Sequence, residues 1–353
     1  MNTDKTIEMI INHYEKYPKL QIQDIFKYLY QSSYGCEHMV SSVETVVNYI
    51  LQEYENLSFE NKFETDALDG EYCRVNLSYM NTGLSADTLG KLFCLSAKKE
   101  ADAKEKLINK ISVVQKLICE KILPFPEDEF ERNVKEWEDK GFAPVHHSDI
   151  FRQTYKPSYR VIASKFAPFL PLFAKIDKLL EKGTVNIAIE GGSASGKTTL
   201  GEMLISVYSC NVFHMDDFFL QPHQRTPQRY AQTGGNIDYE RFLKEVLKPL
   251  KNKEIINYRK FDCMSMQLKA PVSVEPEKLN IIEGAYSMHP EFEKYYDFSV
   301  FLEISPQKQK ERILKRNSTR EANRFFNEWI PLENVYFSNT NIKDRCNLII
   351  TSE

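Results

Sequence analysis

The sequence predicts an α/β fold with a mostly parallel sheet in its second half, preceded by a mainly α-helical first half. Three observations predict it. Residues 185–208 pass from a short apolar run through a glycine-rich turn into a helical pattern. From there to residue 351, apolar strand-like runs alternate with helical stretches, the signature of βα units that build a parallel sheet. Before residue 183, apolar residues recur instead at helical spacing.

A chain of 353 residues exceeds one typical core, so two domains are expected, 1–183 and 184–353. Gly183, in Glu181-Lys-Gly-Thr184, is a natural helix stop before the first strand of the second half. In the first half, Ile7 to Tyr17, Asp24 to Tyr30, Val43 to Tyr54 and Lys104 to Leu123 read as helices. Tyr72 to Tyr79 alternates and reads as a strand or as an irregular segment. Pro124 and the acids after it open another helix, and Tyr159 to Leu180 is a long apolar segment. In the second half the strands are Val185 to Glu190, Asn211 to Asp216, Lys278 to Glu283, Asp297 to Glu303 and Asn347 to Thr351. The helices between them are Thr199 to Tyr208, Tyr239 to Leu250 and Ser305 to Asn317.

The composition excludes several functions. A formal net charge of −4 weighs against nonspecific nucleic-acid binding. The seven cysteines are scattered without a C-x-x-C, which suits reduced thiols and gives no zinc site. No apolar run is long enough to span a bilayer, and the N-terminus lacks an apolar signal core. A cytoplasmic protein with neither a membrane nor a nucleic-acid partner is expected.

The chemistry concentrates in Gly191-Gly192-Ser193-Ala194-Ser195-Gly196-Lys197-Thr198, a complete G-x-x-x-x-G-K-[ST] loop. Strand before and helix after make this the nucleotide-binding element of a P-loop NTPase fold. Glycines let backbone N–H groups turn inward around a polyphosphate, and the helix opened by Thr199 adds its positive dipole end. Lys197 is placed to reach the β- and γ-phosphates of ATP, and Thr198 to bring its hydroxyl to Mg²⁺. Phosphoryl transfer also needs a carboxylate at a neighbouring strand end. His214-Met-Asp-Asp-Phe-Phe219 supplies two, of which Asp216 leaves the strand first and is the candidate base, with Asp217 the runner-up. Glu283 ends another apolar strand and is the second candidate for the Mg²⁺ shell. Arg312, Arg316, Arg320 and Arg324 recur every four residues, which on one helix would form a basic stripe suited to a lid over phosphates.

With these pieces on one chain, residues 185–351 resemble the uridine kinase / phosphoribulokinase family of P-loop kinases. The resemblance is carried by the loop, the Asp216-Asp-Phe-Phe219 segment, the strand end Ile281-Ile-Glu-Gly284, and Leu302-Glu-Ile-Ser-Pro306 with its arginine-rich continuation. It implies Asp216 as catalytic aspartate, and Thr198 and Glu283 as the other Mg²⁺-associated positions. Phe219 falls where uridine kinases usually carry a tyrosine that contacts the nucleoside. Two features of the family differ here. The position of its ribose-gripping aspartate falls near Gly235, and the base-pocket segment Tyr258-Arg-Lys-Phe-Asp-Cys263 keeps the tyrosine but has no histidine. Phe219, Tyr258, Tyr286 and Trp329 are the candidate acceptor contacts, the last within Phe326-Asn-Glu-Trp-Ile-Pro-Leu-Glu-Asn334, a pattern resembling bacterial uridine-kinase-like proteins.

The function implied is ATP- and Mg²⁺-dependent phosphorylation of a hydroxyl on a small molecule, with a nucleoside such as uridine as acceptor. Alternatives are another hydroxylated metabolite of pantothenate or sugar-phosphate type, or a nucleotide-driven switch with no metabolite acceptor. Residues 1–180 carry no motif that identifies a family. His38, Glu71, His146 and His147 are candidates there for a metal or acid–base site, against the plainer reading of histidines and tyrosines hydrogen-bonded within a helical domain.

Overall fold

A computed structural model of the chain describes residues 3–36, 42–57, 64–98 and 101–351. The chain divides into two compact units, Met1–Asp177 and Lys178–Glu353, the division falling inside a helix.

The first unit is mainly helical around a small sheet. Its helices are α1 (Thr3–Lys16), α2 (Ile22–Tyr34), α3 (Val43–Glu55), α4 (Ala86–Ser96), α5 (Ala103–Cys119), α6 (Glu127–Asp139) and α7 (Asp149–Tyr155), and α8 (Leu170–Leu180) follows. Helical spacing buries one face of each: α5 hides Leu107, Ile111, Val114 and Ile118. Strands β1 (Thr65–Leu68), β2 (Tyr72–Asn76) and β3 (Tyr159–Ala163) form an antiparallel sheet in the order β1-β2-β3. The first residues of the apolar segment Tyr159 to Leu180 are thus a strand that pairs with β2, and only Leu170–Leu180 is helix.

The second unit is α/β. Strands β4 (Val185–Gly191), β5 (Cys210–His214), β8 (Leu279–Glu283), β9 (Phe298–Glu303) and β10 (Leu348–Thr351) form a wholly parallel sheet in the order β10-β9-β4-β8-β5. The central strands are buried almost throughout, as the sheet of a doubly covered α/β layer requires. β4 lies at the middle, with β8 on one side and β9 on the other, so its carboxyl end sits at the switch point where α/β proteins bind ligands. Strands β6 (Ile256–Asp262) and β7 (Gln267–Val274) form a separate antiparallel hairpin. A core of Phe213, Phe218, Phe242, Tyr258, Ile282 and Phe292 covers one face of the sheet. Each such side chain contributes roughly 1.5–3 kcal/mol by burial.

Two expected elements differ. Tyr239 to Leu250 is not one α-helix: Tyr239–Phe242 is followed by a π-helical turn, Leu243–Leu247, before Lys248–Asn252. The four arginines do not share one helix. The helix Pro306–Arg316 ends at Asn317, and Ser318 caps a new helix, Thr319–Arg324, through a capping box with Glu321.

Candidate functional site

The site is built where β4 gives way to the loop. Gly191 takes φ 150°, and a Cβ there would lie 2.5 Å from Leu302 O and 2.9 Å from Ser195 Oγ, so only glycine lets the loop run this close to β9. Gly196, at φ 100°, caps the 11-residue helix α9 (Lys197–Val207). That helix aims its N-terminus at the loop, and Leu200, Leu204 and Val207 bury its inner face. Lys197 Nζ donates to Gly191 O and Gly192 O, both at 2.9 Å, which parks the ammonium at the loop itself. Ser195 Oγ is buried with no hydrogen-bond partner among the described residues. A glycine-cleared loop, a helix N-terminus, a lysine held by carbonyls and an unpaired hydroxyl together fit a polyphosphate. Ser193, Ala194 and Ser195 form the arch of the loop, while Thr198 and Thr199 are exposed on the first turn of α9.

Carboxylates gather beside the loop because β4, β8 and β5 finish level. Ile189 pairs with Glu283 across one side of β8, and His214 pairs with Glu283 across the other. Glu283 Oε1 accepts from Thr198 Oγ1 at 3.3 Å and is held by His214 Nδ1. That bond, ahead of the opposing burial, raises the His214 pKa. Asp216 follows in the turn Met215–Phe218 and is exposed. Desolvation by the surrounding walls raises its pKa, as do Glu283 and Asp217, while Lys197 and His214 pull it down. Asp217 is engaged elsewhere, 3.0 Å from Lys260 Nζ. One hydroxyl and two carboxylates, Thr198, Asp216 and Glu283, suit Mg²⁺, which keeps several waters and takes few protein oxygens. Among the described residues, no cluster of three or more His, Cys, Asp or Glu side chains forms a metal cage.

The arginines divide. Arg312 Nη1 donates to Ala194 O at 3.2 Å, and beside it Gln309 Nε2 donates to Ser193 O at 2.8 Å, so the helix Pro306–Arg316 is tied to the loop. Arg316 and Arg320 are exposed, Arg316 lying over Phe325, and Arg324 stacks on Trp329. Of the aromatic candidates, Tyr258 and Tyr286 are core residues, 5% and 4% exposed, which removes their rings from an open acceptor wall. Phe219 and Trp329 are half-buried, and Phe219 bridges to Ile237. That bridge brings up Asp238, three residues beyond Gly235, whose N–H donates to Phe218 O and whose carboxylate is held by Arg241.

Sequence reasoning missed two acids. Glu190, the last residue of β4 before the loop glycines, is fully buried. Its Oε1 accepts from Gly191 N and Tyr286 N, and its Oε2 from Met288 N and the Tyr336 hydroxyl. Burial pushes this carboxyl up to about 7 against the pull of those donors and of Lys197. A charged residue in an otherwise apolar strand was the available signal. Glu333, 5% exposed, reaches the loop from the helix Ile330–Thr340 and binds both polar groups of Ser193. Nothing local in the sequence marks it.

In the first unit, His147 pairs with Asp24 and Tyr159, whereas Glu71 is tied to Lys106 and does not join it. His38 lies outside the described residues.

No family model matches the sequence, and no curated protein matches it. Solved structures do. A possible uridine kinase from Bacillus stearothermophilus is 21% identical, covering 51% of this chain and 98% of its own, with a TM-score of 0.38. A putative fructose transport system kinase from Silicibacter sp. TM1040 is 22% identical over 50% of this chain and 97% of its own, with a TM-score of 0.39. Deoxyadenosine kinase from M. mycoides with bound dATP is 15% identical over 47% of this chain and 91% of its own, with a TM-score of 0.22. Each of these matches spans about half of this chain. No helix among the described residues is long and apolar enough to cross a membrane.

Proposed function

We propose that the second unit is an ATP- and Mg²⁺-dependent kinase that transfers a phosphoryl group to a hydroxyl of a small molecule, with a nucleoside such as uridine as acceptor. The observation that carries this reading is the level ending of three parallel strands. It sets Asp216 and Glu283 beside Lys197 and Thr198, while Lys260 removes Asp217 from the competition. Loop amides and Lys197 bind and orient the phosphates, and Thr198 and Glu283 with Asp216 hold the metal. Bound Mg²⁺ supplies neutralisation of phosphate charge. Asp216 orients the acceptor hydroxyl and takes its proton. Arg312, tied to the loop, offers positive charge to the transferring group. Phe219 and Trp329 have surface to offer a planar acceptor.

The test is a screen of hydroxylated metabolites, uridine included, for acceptor-dependent ADP formation. One acceptor that stimulates turnover supports the reading. Slow hydrolysis indifferent to every acceptor would favour a nucleotide switch.

A further inference from the structure

The first unit holds a cleft of about 1260 Å³ that the kinase chemistry does not use. Small-molecule sites commonly span about 300–1,000 Å³, so it has room for a ligand of nucleotide size. Residues of α1, α2, β2, α7 and β3 line it.

Its charge is unbalanced. Six cationic side chains line it, against the carboxylates of Glu53, Glu64 and Asp66. Those carboxylates are already matched. Arg160 grips Glu53 through two bonds, at 2.8 and 2.9 Å. Lys16 lies 2.9 Å from Asp66 and 3.6 Å from Glu64, and Arg74 lies 3.6 Å from Asp66. Among the described residues, Lys27, Arg152 and Lys156 pair with no carboxylate; Lys27 Nζ donates instead to Val145 O at 3.1 Å. Burial, reinforced by Arg74 and Arg152 and partly offset by Asp24, pushes the Lys27 ammonium down to about 8.

The walls are fixed. Arg74, 3% exposed, is pinned by two bonds to Gln31 Oε1 at 2.9 and 2.7 Å and lies 4.7 Å from the centre of the Tyr159 ring. Asp24 accepts from Gln21 N, Ser148 N and Ser148 Oγ, which keeps it an acceptor, so His147 Nδ1 carries the proton toward it. His147 Nε2 then accepts from the Tyr159 hydroxyl at 2.7 Å. Beside this network the half-buried rings of Tyr17 and Tyr155 meet edge to face at 5.0 Å, backed by the buried ring of Phe151.

We propose that this cleft is a second ligand site, for a phosphate ester of nucleotide size, whose phosphate is held by Lys27, Arg152 and Lys156 and whose ring lies against Tyr17 and Tyr155. A phosphate monoester carries about −1.5 to −2 charges at neutral pH, which suits three unpaired cations better than a single carboxylate does. The inference is independent of the kinase reading, because every residue it uses belongs to the first unit.

The test is calorimetric titration of the full chain with UMP, in wild type, in Arg152→Glu/Lys156→Glu and in Lys197→Ala. Arg152 and Lys156 are both exposed, so the double variant is expected to fold, and its thermal melt checks this. Saturable binding with a Kd below about 1 mM is expected. It should survive Lys197→Ala and weaken at least tenfold in the charge-reversed variant. Absence of saturable binding would overturn the proposal. So would binding that Lys197→Ala abolishes and charge reversal leaves untouched, since the phosphate-binding loop would then be the site.

Discussion

Glu333 accepts two hydrogen bonds from Ser193, one from its backbone N–H at 2.9 Å and one from its hydroxyl at 2.6 Å. A carboxylate therefore sits on an amide of the phosphate-binding loop, in the manner of an anion. Burial raises the Glu333 pKa, while Lys197 and Ser193 hold it down. Nucleotide phosphates must share the loop with this charge. Glu333→Gln keeps the shape and removes the repulsion, so ATP affinity is expected to rise about three- to tenfold, on the order of 1 kcal/mol. Titration calorimetry reads it; weaker ATP binding in the variant would mean that the carboxylate supports the loop instead of competing for it.

Lys197 is held by two loop carbonyls rather than by a core. Lys197→Ala is expected to abolish phosphoryl transfer while shifting Tm by only a few degrees, about the effect of 1 kcal/mol. Turnover at the wild-type rate would remove the loop from the mechanism.

Asp216 and Asp217 are separated by their partners. Asp217→Asn breaks the contact with Lys260, a partly exposed pair, and should leave turnover within a few-fold. Asp216→Asn should lower kcat by about 10²-fold or more, with ATP affinity much less affected. Steady-state kinetics on both variants decide, and the reverse ranking would make Asp217 the base.

Glu190 links stability to pH. Its carboxyl titrates near 4.5 in an unfolded chain and near 7 when folded, so between those values the folded state holds more protons. Stability from this group is fully present below about pH 4.5 and is lost as pH rises through 7, by an amount on the order of 3 kcal/mol at most. Buried neutral histidines such as His147 and His289, both pushed down to about 4, act in the opposite direction below pH 6.5. The informative quantity is therefore the difference between wild type and Glu190→Gln. Tm of wild type relative to the variant should fall between pH 5 and 8, and parallel curves would show that Glu190 is ionised throughout.

The α/β half was legible because its signals are local. A parallel strand buried on both faces reads as an apolar run, and the loop fixes eight consecutive residues between strand and helix. The hairpin β6–β7 escaped because Gln267–Val274 is largely exposed and carries little apolar pattern. The arginine stripe misled because a period of four presumes an unbroken helix, and Ser318 with Glu321 was the overlooked stop signal. Tyr258 and Tyr286 look like pocket residues in sequence, and only packing puts them in the core. Glu333 meets Ser193 across 140 residues, a contact that no window of sequence contains.

The most direct test of the central claim is detection of the phosphorylated acceptor itself. With Mg-ATP and a panel of nucleosides and other hydroxylated metabolites, ³¹P NMR should show the terminal phosphoryl group of ATP appearing as a new phosphate ester on one acceptor. ADP should form at the same rate, and both signals should vanish in Lys197→Ala. ADP and inorganic phosphate released at one rate whatever acceptor is present, with no ester formed, would contradict it.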